Sequence, residues 1–421
     1  KQYLLAASMC VGLTACSDFF EPIPGVQFGL DETFASKQRT EEYLNNVYSY
    51  VREVTDAIHP NTYGGIFTEA SLDGANRWNK TYAEWTNGSF NSASAQASEY
   101  FSKYYQAIAK ASTFIQNVDK CTEAAASTRG KWKSEARALR AYYYFELLRL
   151  YGPIPLIGED PIPLDASLEE LIKERNSVDE CVNFIATELQ SAIDSGDLLQ
   201  RAGKANLGRM DVATCMALKA KLYLYWASPL FNGNTDQASV KNKDGKQLFP
   251  QTEDHSKWTQ TRDAYERFMT FATGQGYKLT EVYTNGKLDP YASCRAAGEF
   301  FTTTWEAVDE LIFVKLRDLY DYTYWVCPKF TDFQDTDVTG GGGYYTTQET
   351  VDLFFTKDGL TIEEDPGYDK FEGIPGANNF TSGRYYDPNN PSRLYFDADK
   401  SKVLKQWKDR EPRFYVNITY S

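Results

Sequence analysis

Histidine is almost absent: the 421-residue chain has two, His59 and His255, far apart in sequence. Seven cysteines are present, yet no two are spaced as CxxC. Zinc sites need closely spaced Cys or His pairs, so none is expected. Asp332, Asp335 and Asp337 crowd together without the spacing of an EF-hand loop. A solvated acidic loop accounts for them equally well, and no metal is assigned. The chain also lacks a GxSxG elbow, an HExxH helix and a phosphate loop. Gly340 to Gly343 are not followed by the Lys-Ser/Thr that a phosphate loop requires. Basic charge is in deficit, with 44 Lys and Arg against 58 Asp and Glu and a net charge of -14. That balance repels phosphate backbones, so nucleic acid is not an expected partner. Acids are plentiful, but nothing in their pattern singles out the placed pair a glycosidase needs. The chain is therefore read as a non-enzyme without cofactors.

Aromatic side chains and helical periodicity are what the chain has in quantity. Thirty tyrosines head an aromatic content of 15%. Tyrosine joins a flat apolar face to a polar tip, which suits cores and sugar-binding surfaces alike. Within residues 131–151, Trp132, Ala136, Leu139, Tyr143, Leu147 and Leu150 recur at steps of three or four. Ala138, Ala141, Tyr142, Phe145 and Leu148 form a second stripe, and Lys133, Arg137, Arg140 and Tyr144 a narrow polar edge between the two. A helix apolar on two sides must be covered on two sides, which places it inside a helical stack. Gly152 offers a left-handed exit, and Pro153 and Pro155 forbid continuation.

The remaining helices read in order. Leu44, Val47, Val51 and Val54 predict a first helix from Thr40, with Glu41 and Glu42 in its first turn. Phe101, Tyr104, Ile108, Ala111, Ile115 and Val118 predict a helix antiparallel to the 131–151 helix, joined through a turn containing Gly130. Val178, Val182, Ile185, Leu189 and Ala192 follow Ser177 as a cap with Glu180 three residues on. The partner runs from about Asp211 to Ala227, with an Ala213, Ala217, Ala220 ridge for close approach and Pro229 beyond its end. Cys181 and Cys215 fall on apolar faces as small buried hydrophobes. A further helix spans Trp258 to Ala272. Hairpins in series without a strict 34-residue signature predict a mainly α, tetratricopeptide-like helical hairpin stack with long loops and a less regular C-terminal region.

Two long stretches interrupt this pattern. Residues 59–96 are polar and aromatic, with Trp78, Tyr82 and Trp85 interleaved among Asn76, Asn79 and Asn87. Sugar rings present apolar C–H faces and equatorial hydroxyls, which stacking and amide hydrogen bonds suit. The second stretch follows LIFVKL (311–316), read as a short buried strand, and holds Tyr320, Tyr322, Tyr324 and Trp325. Trp78, Asn79, Trp85, Tyr322 and Trp325 are the candidate ligand-binding residues. Thr346 or Thr347 can cap a short helix, and Asp358-Gly359 can make a tight turn.

Five segments carry a resemblance. Residues 1–16, KQYLLAASMCVGLTAC, have a basic start, an apolar run too short to span a bilayer, and Leu13-Thr14-Ala15-Cys16 as a lipobox. The others are ARALRAYYYFELLRLYGPIPLI, the Ala-rich helix near residue 217, TQETVDLF with its following Asp358-Gly359, and Asp409-Arg410-Glu411-Pro412-Arg413-Phe414-Tyr415. Together and in this order they resemble the SusD/RagB family of nutrient-binding outer-membrane lipoproteins; Glu411 stands where that family usually has Asp. The resemblance implies a SusD-like fold. It implies lipidation at Cys16, which makes 1–15 a partial signal peptide with palmitate-type acylation to follow and 16–39 a tether. Residues 40–273 become the N-terminal helical region and 274–421 a C-terminal region expected to be incomplete, because the family continues with further helix. It also implies oligosaccharide capture at the outer face of the outer membrane and delivery to a SusC-like TonB-dependent transporter. Peptide capture and, further off, glycoside hydrolysis are the alternatives.

Overall fold

A computed structural model describes residues 29–52, 71, 74–76, 84, 88–160, 162, 166–299, 309–315, 344–368, 380–382 and 402–418. Among these, helices dominate: α1 (Leu30–Ala35), α2 (Lys37–Ser49), α3 (Ala95–Asn117), α4 (Ala126–Tyr151), α5 (Leu168–Leu171), α6 (Val178–Asp194), α7 (Val212–Ala227), α8 (Ser256–Gly274), α9 (Pro290–Glu299), α10 (Gln348–Asp352) and α11 (Pro412–Asn417). Strands occur only as short antiparallel pairs among the described residues. β1 (Ala75–Asn76) joins β4 (Tyr344–Tyr345), β2 (Tyr283–Thr284) joins β3 (Lys287–Leu288), and β5 (Phe380–Ser382) joins β6 (Lys402–Leu404). No described helix is long and apolar enough to cross a membrane.

Helix α4 is the axle of the stack. Both of its predicted stripes are buried apart from the half-buried Leu150, and fully burying a Leu or Phe contributes roughly 1.5–3 kcal/mol relative to leaving it exposed. Half of the predicted polar edge is also inside: Arg140 and Tyr144 are buried, because α3 and α6 close on α4 from both sides, while Lys133 and Arg137 are half-buried. A buried guanidinium requires a partner. Glu188 on α6 supplies it, accepting from Arg140 Nε at 2.8 Å and from Nη2, while Nη1 donates to Ser112 on α3 at 3.0 Å. Three helices are thereby fixed in rotation by one side chain. Gly152 ends α4 at φ 68°, as expected from its sequence position.

Packing then proceeds serially, α3 on α4, α4 on α6, α6 on α7 and α7 on α8, which is the tetratricopeptide-like stack. Ser177 and Glu180 close a capping box at the start of α6, satisfying backbone donors in both directions. Ala213 and Ala220 are buried on α7, so its neighbours approach closely. Cys181 and Cys215 are buried, and loss of water pushes the Cys181 thiol up to about 12. Glu180 moves the other way: a hydrogen bond from Lys246 at 2.7 Å, then the Ser177 backbone, holds its carboxyl below the ordinary value of 4.5. A depressed carboxylate stabilises the fold above its unfolded pKa and loses that contribution as pH falls through the folded one. Glu180→Gln should therefore lower the melting temperature by roughly one or two degrees near pH 7 and by less near pH 3. Scanning calorimetry at the two pH values checks this.

Four expectations need correction. Residues 30–35 and 37–39, assigned to the tether, are helical, and Glu41 and Glu42 fall in the second turn of α2. Phe34 explains why: it is fully buried, with its ring 5.7 Å from Phe114 on α3, and it pulls the chain into the stack before Thr40. Gly130 lies inside α4, where a Cβ would sit 2.7 Å from the Asp197 carboxyl group, so the glycine serves a close approach and the turn falls earlier. Residues 311–315 are an irregular strap with no strand partner. Finally, α9 went unforeseen, although Asp289-Pro290 is a cap followed by a first-turn proline, and the Asp289 carboxyl accepts from Ala292 N at 2.8 Å. Toward the C-terminus, Thr347 caps α10 and Gly359 turns at φ 76°, as the sequence indicated. There α9, α10 and α11 share a small second core of Tyr291, Val351, Phe414 and Tyr415.

Candidate functional site

Two long segments leave the described fold near one point and re-enter it at another. Residues 53–70 follow Arg52, and residues 316–343 follow Lys315. Lys315 Nζ donates to the carbonyls of Val51 at 2.7 Å and Ser49 at 3.4 Å, so the two departure points touch. At the far end β1 pairs with β4, Ala75 opposite Tyr345 and Asn76 opposite Tyr344. In sequence the second aromatic stretch lies between these two fastenings, whereas β1 falls within the first stretch, ahead of Trp78 and Trp85.

The departure point is built on α4. Tyr142 Oη accepts the Arg52 backbone N–H at 3.3 Å, and Tyr143 Oη donates to the Val47 carbonyl in the last turns of α2. Glu146 is buried; it accepts from Arg149 at 2.9 Å and lies 3.7 Å from the Arg52 guanidinium. Arg149 in turn lies over the rings of Phe145 and Tyr225. Burial pushes the hydroxyls of Tyr104, Tyr142 and Tyr143 above their ordinary value, so all three stay neutral wherever the protein works.

The strap 309–315 brings the second segment to this point. Asp309 pairs with Arg201 at 2.8 Å, Glu310 accepts from Thr280 Oγ1 at 2.8 Å, and the Ile312 carbonyl accepts from Thr214 at 3.3 Å. Phe313 meets Tyr142 with ring centroids 6.1 Å apart. Gly208, at φ 82°, lets the strap pass: a Cβ there would lie 2.9 Å from the Val314 carbonyl oxygen.

The predicted ligand-binding residues Trp78, Asn79, Trp85, Tyr322 and Trp325 lie outside the described residues, as do Cys16 and the Asp332, Asp335, Asp337 group. The structure joins only the flanks of the two stretches that carry them. It adds Tyr345, 54% exposed at the junction itself, which sequence reasoning passed over although two tyrosines directly follow the glycine run. Arg52, Glu146 and Lys315 were also missed, because their contacts bridge distant parts of the chain.

Other chemistry in the described part is committed to structure. Glu135 is held by Arg209 at 3.1 Å and Tyr48 at 2.9 Å, Glu146 by Arg149, and Glu188 by Arg137 and Arg140. Burial raises the Glu135 carboxyl, and these partners oppose the shift. No group of three or more His, Cys, Asp or Glu side chains among the described residues is placed to hold a metal. A separate apolar hollow of about 400 Å³ lies between α3 and the loop after α4, lined by Phe101, Tyr105, Ile108, Pro155 and Ile157 among others.

A stack of helical hairpins, with the flanks of its long interruptions joined at two places, makes the described residues a helical-repeat scaffold. Comparisons with known proteins place it further. A family profile described as starch-binding associating with outer membrane matches residues 27–224, and the SusD family profile matches 310–421. A SusD-like protein of Bacteroides ovatus is 27% identical over 175 residues, 40% of this chain and 30% of that protein. The solved structure of BT4246 superposes with a TM-score of 0.71 at 24% identity, covering 90% of this chain and 64% of that one. Surface glycan-binding protein A from Bacteroides uniformis gives 0.51 at 16% identity over 77% of this chain and 62% of that one. The chain belongs to the SusD/RagB family. It spans less than two thirds of the length of these relatives.

Proposed function

We propose that this chain captures an oligosaccharide on an aromatic platform of Trp78, Asn79, Trp85, Tyr322 and Trp325. Cys16 carries a lipid anchor that keeps the protein on the outer face of the outer membrane. From there the ligand passes to a SusC-like TonB-dependent transporter. No bond in the ligand is made or broken; the work is binding and handover. The observation that carries this reading is the pair of fastenings: Lys315 joins the chain just before residue 316 to the chain just before residue 53, and β1 joins residues 75–76, immediately ahead of Trp78, to residues 344–345. The starch-binding description of the matching family and the glycan binder among the structural neighbours support the ligand class. Stacking and hydrogen bonds on a wide, wet surface give modest affinity, since each immobilised side chain and each displaced water subtracts from the gain.

Calorimetric titration of the purified chain against panels of neutral oligosaccharides and of peptides, with chromatography of each ligand afterwards, tests the reading. One class of oligosaccharide should bind with a Kd of about 1 µM to 1 mM and be recovered intact. Binding confined to peptides would replace the ligand class, and shortened oligosaccharides would make the protein a hydrolase.

A further inference from the structure

We propose that the hollow between α3, the loop after α4 and α5 is a second binding site, for a neutral aromatic or branched acyl group that brings one carbonyl to the Ser112 hydroxyl. The site is separate from the oligosaccharide platform and stands or falls without it. Its volume of about 400 Å³ falls within the range of small-molecule cavities. Helix α3 contributes Phe101, Tyr105 and Ile108, the loop contributes Pro155 and Ile157, and the end of α5 contributes Leu171. The walls are held before any ligand arrives. Tyr144 Oη donates to the Ile157 carbonyl at 2.7 Å and accepts the Ile157 N–H at 3.0 Å. Tyr105 Oη donates to the Pro155 carbonyl at 2.7 Å, and the Leu156 N–H goes to Asn176 at 3.0 Å. These bonds use polar atoms of the loop that would otherwise line the hollow, so carbon dominates its walls.

One polar group breaks that pattern. Ser112 lines the hollow yet is 1% exposed, which puts it at the deep end, whereas Leu171 and Ile172 at the mouth are 52% and 68% exposed. The Ser112 oxygen accepts from Arg140 Nη1 at 3.0 Å, and its hydroxyl hydrogen has no acceptor among the described residues. A buried donor left unmade costs free energy, and a bond received from a guanidinium polarises the hydroxyl into a stronger donor. The Arg140 charge is matched by Glu188, so the deep end offers one hydrogen and little net charge. A neutral carbonyl suits that better than an ion. The occupant's apolar body would then lie along the Phe101 and Tyr105 rings, whose centroids are 4.6 Å apart, and cover the apolar mouth.

Methyl NMR of the full chain, titrated with acetophenone and separately with its carbonyl-free counterpart ethylbenzene, tests the assignment. Acetophenone should shift the Ile108, Ile157 and Leu171 methyls saturably, with half-saturation below about 5 mM, while the Val212 and Leu222 methyls of α7 stay in place. Ser112→Ala should weaken acetophenone by about fivefold and leave ethylbenzene unchanged, because only the first loses a hydrogen bond. Ala109 lines the hollow from an exposed position on α3, so Ala109→Trp should keep the wild-type melting temperature and abolish binding of both compounds. Absence of saturable shifts at the three named methyls would overturn the site, as would undiminished binding in Ala109→Trp. Equal effects of Ser112→Ala on the two compounds would overturn the role given to the hydroxyl.

Discussion

Glu188→Ala should cost about 3–5 kcal/mol of folding stability, measured as the shift in urea unfolding free energy. Arg140 is fully buried, and its Nε and Nη2 both donate to the Glu188 carboxylate. Arg137 donates to the other oxygen at 3.0 Å. Removing the acid leaves a buried guanidinium with Ser112 as its close partner and Glu159 at 4.0 Å, itself 68% exposed and largely hydrated. Desolvation of an unpaired charge outweighs the lost packing of one side chain. The contrasting variant is informative: Glu188→Leu with Arg140→Met removes both charges together, and replacing a buried pair by apolar groups is often close to neutral. The double variant should thus recover most of the loss. A single-variant cost below about 1 kcal/mol would show that the pair is not the lock between α3, α4 and α6.

Arg410→Lys should unfold the second core while sparing the stack, at a cost of roughly 2–4 kcal/mol. Arg410 is 1% exposed, and its two Nη groups donate to neutral acceptors. Nη2 donates to the carbonyls of Val351 at 2.8 Å and Phe354 at 2.6 Å, and Nη1 to Tyr368 Oη at 2.8 Å and the Gln406 carbonyl at 3.3 Å. Its guanidinium also lies 5.1 Å from the Phe414 ring centroid. A planar fork reaches acceptors on both sides at once, whereas an ammonium is a point with three donors. Lysine would orphan at least one buried carbonyl. Hydrogen exchange localises the effect: α10 and α11 amides should lose protection while α3 to α8 keep theirs. Wild-type protection in α10 and α11 would contradict the role given to Arg410.

The stack was legible in the sequence because its helices are long and their apolar residues repeat every three or four positions. What escaped shares one cause, contact between residues distant in sequence. Arg140 and Tyr144 fall on a polar edge in sequence, because periodicity along one helix does not reveal which faces its neighbours cover. Gly130 resembled a turn residue until Asp197 came to lie against it. Helix α1 is six residues long, too short for a period, and is held by one phenylalanine. LIFVKL has the composition of a strand, but strand geometry requires a partner, and the strap is fixed instead by Arg201, by Thr214 on α7 and by Thr280. The aromatic residues of the candidate platform could be named from sequence by type and spacing. The fastening between β1 and β4, and the Lys315 clasp, could not, because two-residue pairings leave no periodic trace.

The measurement that bears most directly on the function is a calorimetric titration of the Trp78→Ala, Trp85→Ala double variant beside the wild-type chain, using whichever oligosaccharide the wild type binds. Base- or sugar-sized stacking partners contribute about 1–3 kcal/mol per aromatic ring, so the double variant should lose at least about thirtyfold in affinity while unfolding at the wild-type temperature. Equal affinity in the two proteins would contradict a platform in that segment.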